Sequence, residues 1–213
     1  MKWEPDYSFV GERGDVFIIG GGPSLRNFNW DLLVPFPTIG CNMAFSLGES
    51  VCKMCVFGDI KWFDKFNKPL QNFKRPVLTN NPYLHTRNID WLCSTKRMNK
   101  GLSKDPSLLG WNGHTGSVAI NAALIMGAKR IMLLGFDMVL DRKAGPNWHK
   151  EILSVPNEQC YQRFLDGFHY ICRDLSLFPG VSIINLNPDS KLERFPKMSF
   201  ETFMEGNVYE TCC

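Results

Sequence analysis

Three features of this sequence predict an α/β fold, a Rossmann-like and mostly parallel sheet with helices on both faces. Short apolar runs recur without polar alternation, as in strands buried on both faces. Helical or loop segments separate those runs. The first run ends in three consecutive glycines, in "DVFIIGGGPSL" at residues 15–25.

The elements follow in order. Val16–Ile19 is the first expected strand. Gly20, Gly21 and Gly22 then remove every side chain where the chain turns, which suits positive φ or close approach of a ligand. Pro23 fits the first turn of a helix, and Ser24 offers a hydroxyl or a cap. Exposed N–H groups in such a loop favour an anion. The triplet is neither G-x-G-x-x-G nor a Walker A loop, so a tight strand-to-helix turn explains it equally well.

Further strands are expected at Thr38–Gly40, Cys52–Phe57, Arg75–Leu78, Arg130–Leu134 and Val181–Leu186. The stretch SVAINAALIMG, residues 117–127, is apolar nearly all round and reads as a buried helix that Gly127 can stop. A second long helix is expected at Glu158–Leu175. Its Tyr161, Phe164, Leu165, Phe168, Ile171, Cys172 and Leu175 recur at spacings of three and four. Residues 67–112 carry Pro69, Pro76, Pro82 and Pro106 and read as a loop-rich insertion or lid. Residues 196–213 read as a peripheral tail on a single domain, 1–213.

Composition narrows the class. The 213 residues suffice for a core without staples. A net charge of +3 does not by itself argue for nucleic acid. No apolar run approaches the roughly 18 residues of a membrane span, and the first 15 residues have no signal-peptide core. Cys52 and Cys55 form a C-x-x-C without a second pair at zinc spacing, so the eight cysteines read as reduced thiols in a cytoplasmic protein.

Four expected strand ends carry polar residues: Gly20–Ser24, Cys41-Asn42, Gly58-Asp59 and Gly135-Phe136-Asp137. In a parallel sheet these ends share one edge, where ligands bind. Asp59 and Asp137 are candidate acids, and either could hold Mg²⁺ beside phosphate oxygens. Each has a plainer role open to it, capping a helix or ordering a loop. His149, in "GPNWHKE", could act as a general base. His114 could bind phosphate or cap the helix that follows. Trp62, Phe63 and Phe66 stand at helical spacing and either stack a base or pack a helix on the sheet. Lys96, Arg97, Lys100 and Lys104 read first as a solvated face.

The blocks "IIGGGPSL", "GCNMAF", "GHTGSVAINAALIMGAKRIMLLGFDM" and "INLNPDSKLERFP" together resemble one superfamily. It includes the archaeal 6-hydroxymethyl-7,8-dihydropterin pyrophosphokinase-like (MptE-like) proteins and the bacterial sialyltransferases of glycosyltransferase family 42. Short phage and bacterial proteins resemble the pattern too. His114–Ala119 and Gly135–Asp137 are most similar to the MptE-like branch, while Gly22–Leu25 and Asn42 fit both.

The resemblance implies a nucleotide-dependent transferase. Gly20, Gly21, Gly22, Pro23 and Ser24 would cradle phosphate, and Asn42 would contact ribose, base or phosphate. His114, Thr115, Gly116 and Ser117 would line the site. A glycosyltransferase would use a CMP- or UDP-type nucleotide-sugar, with His149 or Asp137 as base. A pyrophosphokinase would use ATP and Mg²⁺, with Asp59 and Asp137 near the metal. A non-catalytic nucleotide-binding module and a nucleotide-hydrolysing or DNA-modifying phage enzyme are further alternatives. The active-site tyrosines of the sialyltransferase branch have no counterpart between Asp137 and Tyr161, where Trp148 is the sole aromatic. The acceptor is undefined, and a nucleic-acid acceptor and a homo-oligomer both stay open.

Overall fold

The computed structural model describes residues 1–87, 89–140, 145–151 and 157–209, the last three without their side chains. Parts of the 138–157 loop and the end of the tail, with Cys212 and Cys213, lie outside the described residues.

Strands β1 (Asp15–Ile19), β2 (Thr38–Cys41), β3 (Met54–Phe57), β4 (Val77–Thr79), β5 (Cys93–Ser94), β8 (Arg130–Leu134) and β9 (Ser182–Asn185) form one seven-stranded sheet. Its order is β5-β4-β3-β2-β1-β8-β9 and every pairing is parallel. The chain runs outward from β1 to β5, then returns to add β8 on the other side of β1. The strand order therefore reverses between β1 and β8, the place where open α/β sheets bind ligands. The α/β, mostly parallel architecture expected from the sequence is the observed one.

Every residue of β1 is buried. Alternation sends Val16 and Ile18 to one face and Phe17 and Ile19 to the other. Helix α3 (Thr115–Ile125) and helix α4 (Glu158–Asp174) cover the first face, where Phe168 and Ile171 pack with Val118, Ile120 and Ile18. All eleven residues of α3 are buried, which is why its apolar character runs all round. The opposite face takes helix α1 (Ile60–Gln71) on Phe57 and helix α5 (Phe200–Tyr209), whose Phe200 and Phe203 pack on Phe17. The tail thus contributes to the core instead of lying beside it. A short helix α2 (Pro82–His85) follows β4.

Residues 67–112 are more ordered than their prolines suggest. They supply β4 and β5 to the main sheet and pair β6 (Lys96–Met98) with β7 (Leu108–Gly110) in a small second sheet. Pro69 sits inside the last turn of α1, and Pro82 opens α2 at a position that needs no N–H.

Cys41, Cys52 and Cys55 are buried free thiols, and burial pushes Cys52 up to about 12. Cys52 donates to the Met54 carbonyl, and among the described residues no group of three or more His, Cys, Asp or Glu is arranged to hold a metal. No described helix is long and apolar enough to cross a membrane.

Candidate functional site

A cleft of about 330 Å³ opens at the C-terminal edge of the sheet, centred on the β1–β8 reversal. Gly20, Gly21, Gly22 and Pro23 line it from β1, Cys41 and Asn42 from β2, and Asp59 from β3. Gly135, Phe136 and Asp137 line it from β8, and His114, Thr115 and Gly116 from the start of α3.

The glycine loop is first a seam between β1 and β8. Gly20 N–H donates to the Leu134 carbonyl at 2.7 Å, and Gly22 N–H to the Gly135 carbonyl at 2.8 Å. A side chain at Gly20 would place its Cβ 2.7 Å from the Gly135 oxygen, and one at Gly22 would strike the Asp137 carboxylate at 2.5 Å. Gly20 and Gly22 are thus needed for backbone approach to β8 before any ligand is considered.

Asp137 locks the seam. Only 4% exposed, its carboxylate accepts Ser24 N–H at 2.7 Å, Ser24 Oγ–H at 2.6 Å and an Asn187 Nδ2–H at 2.9 Å. The sequence offered Asp137 as acid, base or metal ligand, or as a residue that orders a loop; its geometry is that of the last, holding the β1 loop in place. Ser24 is correspondingly occupied and does not line the cleft.

Asp59 caps α1. Its Oδ1 accepts from Lys61 N–H at 2.7 Å and Trp62 N–H at 3.2 Å, and the residue remains exposed on the cleft wall. Asn42 adopts φ 52°, a conformation asparagine tolerates better than most residues, and its Oδ1 accepts from Thr115 Oγ1 at 3.3 Å. That bond ties the end of β2 to the start of α3. Among the described residues, the non-glycine residues with left-handed φ are Asn42, Asn112 and Met138. Asn42 and Met138 line the cleft and Asn112 lies between two residues that do, the placement expected of strain held at a functional site.

His114 is the N-cap of α3, with Nδ1 accepting from Ser117 N–H at 3.1 Å. Nε2 therefore carries the proton, and it has no partner among the described residues. The ring stacks on Phe168 with centroids 4.5 Å apart. Burial, reinforced by the charge of Arg163, pushes its pKa down to about 3, so the imidazole is neutral at working pH. Gly167 on α4 makes room for this corner, since a Cβ there would fall 2.1 Å from the Asn112 carbonyl oxygen.

Ser117 does not reach the cleft. Fully buried, its Oγ accepts from Asn112 Nδ2 at 2.6 Å, one turn inside the helix. His149 stands at the border: Pro146 and Asn147 form the wall there, and a Cβ on the lining Gly21 would fall 4.0 Å from the imidazole Nε2. Burial lowers its pKa, opposed by the nearby Glu151 backbone and by the Glu151 charge, and its Nδ1 is buried without a hydrogen-bond partner among the described residues. Trp148 anchors the segment by donating Nε1–H to the Gly20 carbonyl at 2.9 Å.

Trp62, Phe63 and Phe66 are almost wholly buried and pack α1 on Phe57, although Trp62 also reaches the cleft wall. Four further lining residues were not legible as site residues. Trp111 lies in the segment without periodicity, while Tyr161 and Phe164 read as the apolar face of a helix. Arg163 sits in that helix's polar phase; it lines the cleft and has no ion pair among the described residues. Burial first, then the Asp137 charge, raise the Tyr161 pKa.

No family model matches this sequence, and no curated protein does. The structure is similar to that of the monofunctional alpha-2,3-sialyltransferase Cst-I from Campylobacter jejuni, with a TM-score of 0.55 and 15% sequence identity over 89% of this chain and 82% of that one. At this identity the likeness is one of fold: the chain has the α/β, Rossmann-like fold that this sialyltransferase also has.

Proposed function

We propose that the chain is a nucleotide-dependent transferase whose reaction is glycosyl transfer from a CMP- or UDP-type nucleotide-sugar. One observation carries this reading: the cleft at the β1–β8 reversal brings a helix N-terminus, a glycine strand end and the Arg163 cation to one place. The first-turn N–H groups of Thr115 and Gly116, the Gly21 N–H and the Arg163 guanidinium would hold the phosphates. Asn42 and Thr115 Oγ1 would meet the ribose. The shared fold with a sialyltransferase supports a sugar as the transferred group.

In this reading His149, kept neutral by burial, takes the proton of an acceptor hydroxyl as that oxygen attacks the anomeric carbon. The carbon–oxygen bond to phosphate breaks, and the nucleotide leaves with its charge met by Arg163 and α3. Asp137 acts one step back, by fixing the loop against which the donor lies.

The exposed carboxylate of Asp59 favours a second reading, diphosphate transfer from ATP. Asp137 is occupied by Ser24 and Asn187, so Asp59 would be the carboxylate open to Mg²⁺, the ion that neutralises charge on the phosphates.

Turnover separates the two. Incubation with CMP- and UDP-sugars should release the free nucleotide without added metal. His149→Ala should slow that release by roughly 10²–10⁴-fold while nucleotide affinity stays unchanged. Release of AMP from ATP only with Mg²⁺ would establish the second reading instead.

A further inference from the structure

Trp111 is held in the cleft wall by contacts that fix its ring. The Arg97 guanidinium lies over one face, 4.2 Å from the ring centroid. The six-membered edge presses on Gly58 so closely that a Cβ there would fall 1.9 Å from Cζ3. Arg97 is pinned in turn, donating Nε–H to the Asn80 carbonyl at 3.1 Å and Nη2–H to the Gly58 carbonyl at 2.7 Å. Asn81 Nδ2 also donates to the Gly58 carbonyl, at 2.9 Å, so the turn after β3 is fixed as well. Burial weakens the hold of Arg97 on its proton, and the Asp59 charge opposes that, which keeps a cation behind the ring.

An indole whose only role was to fill the core would be covered. Trp111 is half-buried and lines the cleft on the β3 side, beside Asp59, in the same cavity as Thr115, Gly116 and Arg163. A fixed aromatic plane loses little freedom when a flat ligand lies on it. A cation behind one face leaves the rest of the ring as an apolar surface that water solvates poorly.

We infer that Trp111, clamped between Arg97 and Gly58, is the platform on which a nucleobase stacks, with Asp59 beside it to accept a hydrogen bond from the base or its ribose. The inference rests on the nucleotide reading of this cleft and names the part of the ligand that this wall recognises. Stacking of this kind tolerates any base, since every base has a π-face. The platform therefore supplies affinity for the base, and Asp59, an acceptor only, favours ligands that present an amino or hydroxyl group there.

The test is an equilibrium titration of CMP, UMP, AMP and GMP, with ribose 5-phosphate as the ligand that has the phosphate and sugar but no base. Wild type should bind the nucleotides more tightly than ribose 5-phosphate. Trp111→Ala should weaken nucleotide binding roughly 10- to 100-fold and leave ribose 5-phosphate unchanged. Trp111→Leu, which keeps apolar bulk against Arg97, should fall with the alanine variant, while Trp111→Phe should keep most of the affinity. Nucleotide affinity unchanged in both Trp111→Ala and Trp111→Leu overturns the inference and leaves the nucleotide reading standing; so does a loss that Tyr161→Ala produces and the Trp111 variants do not. An indole that served an acceptor sugar would give that same unchanged affinity. A wild-type chain that binds none of the five ligands overturns both.

Discussion

Asp137→Ala should destabilise the protein by about 3 kcal/mol, because it removes the acceptor for three donors at the β1–β8 seam. Hydrogen bonds to a charged group contribute roughly 1.5–3 kcal/mol each, but Ser24 is exposed, so water recovers part of the loss. For a chain of this size that is a fall in thermal midpoint of roughly 6–12 °C. Asp137→Asn is the sharper comparison. The amide keeps the shape and one acceptor oxygen, but its NH₂ group replaces the oxygen that accepts from Ser24 Oγ and Asn187 Nδ2, so it should recover only part of the stability. If the asparagine variant were as stable as wild type, the seam would not depend on the carboxylate. Both variants should also weaken nucleotide binding, since they free the loop that carries Gly21.

Acid should expose the second large effect, at His114. Its folded pKa of about 3 lies far below the ordinary 6.5, so between those values the unfolded chain binds a proton that the folded chain does not. A depressed histidine pKa therefore contributes stability that is present above pH 6.5 and is lost as pH falls toward 3. The slope is about 1.4 kcal/mol per pH unit, or about 3 kcal/mol between pH 6.5 and pH 4. His114→Asn keeps a side-chain acceptor for the Ser117 N–H and removes the titrating group. Its stability at pH 7 should fall through lost stacking on Phe168, but its dependence on pH should be flatter by that slope. Urea unfolding from pH 7 to pH 4 measures both, and parallel curves for the two proteins would show that His114 protonates freely in the fold.

Strands were legible where apolar runs were long enough to be buried on both faces. β1, β2, β3, β4, β8 and β9 all fall within or beside runs visible in the sequence. β5, β6 and β7 are two or three residues long, and Lys96-Arg97-Met98 has no apolar pattern, so nothing in periodicity announces them. The site was legible where chemistry coincides with a strand end, as at Gly20–Pro23, Asn42, Asp59 and Asp137. It was not legible where a residue's role depends on which way its element faces. Ser117 sits one turn into a helix whose every residue is buried, while Arg163 and Tyr161 sit on the turn of α4 that meets the cleft. Of the two roles open to Trp62, the structure shows packing, against Phe57 and Phe66, while Trp111, which no sequence pattern singled out, follows the short second sheet into the cleft wall.

A thermal-shift titration with CMP, UDP, their sugars and ATP, each with and without Mg²⁺, decides whether the cleft between the ends of β1 and β8 holds a nucleotide. A nucleotide at 100 times its dissociation constant should add about 2.7 kcal/mol to the folded state and raise the midpoint by roughly 5–10 °C. Arg163→Ala should reduce that rise while leaving the unliganded midpoint close to wild type. No rise with any nucleotide, in either metal condition, would contradict that reading and leave Gly20 and Gly22 explained by the β1–β8 seam alone.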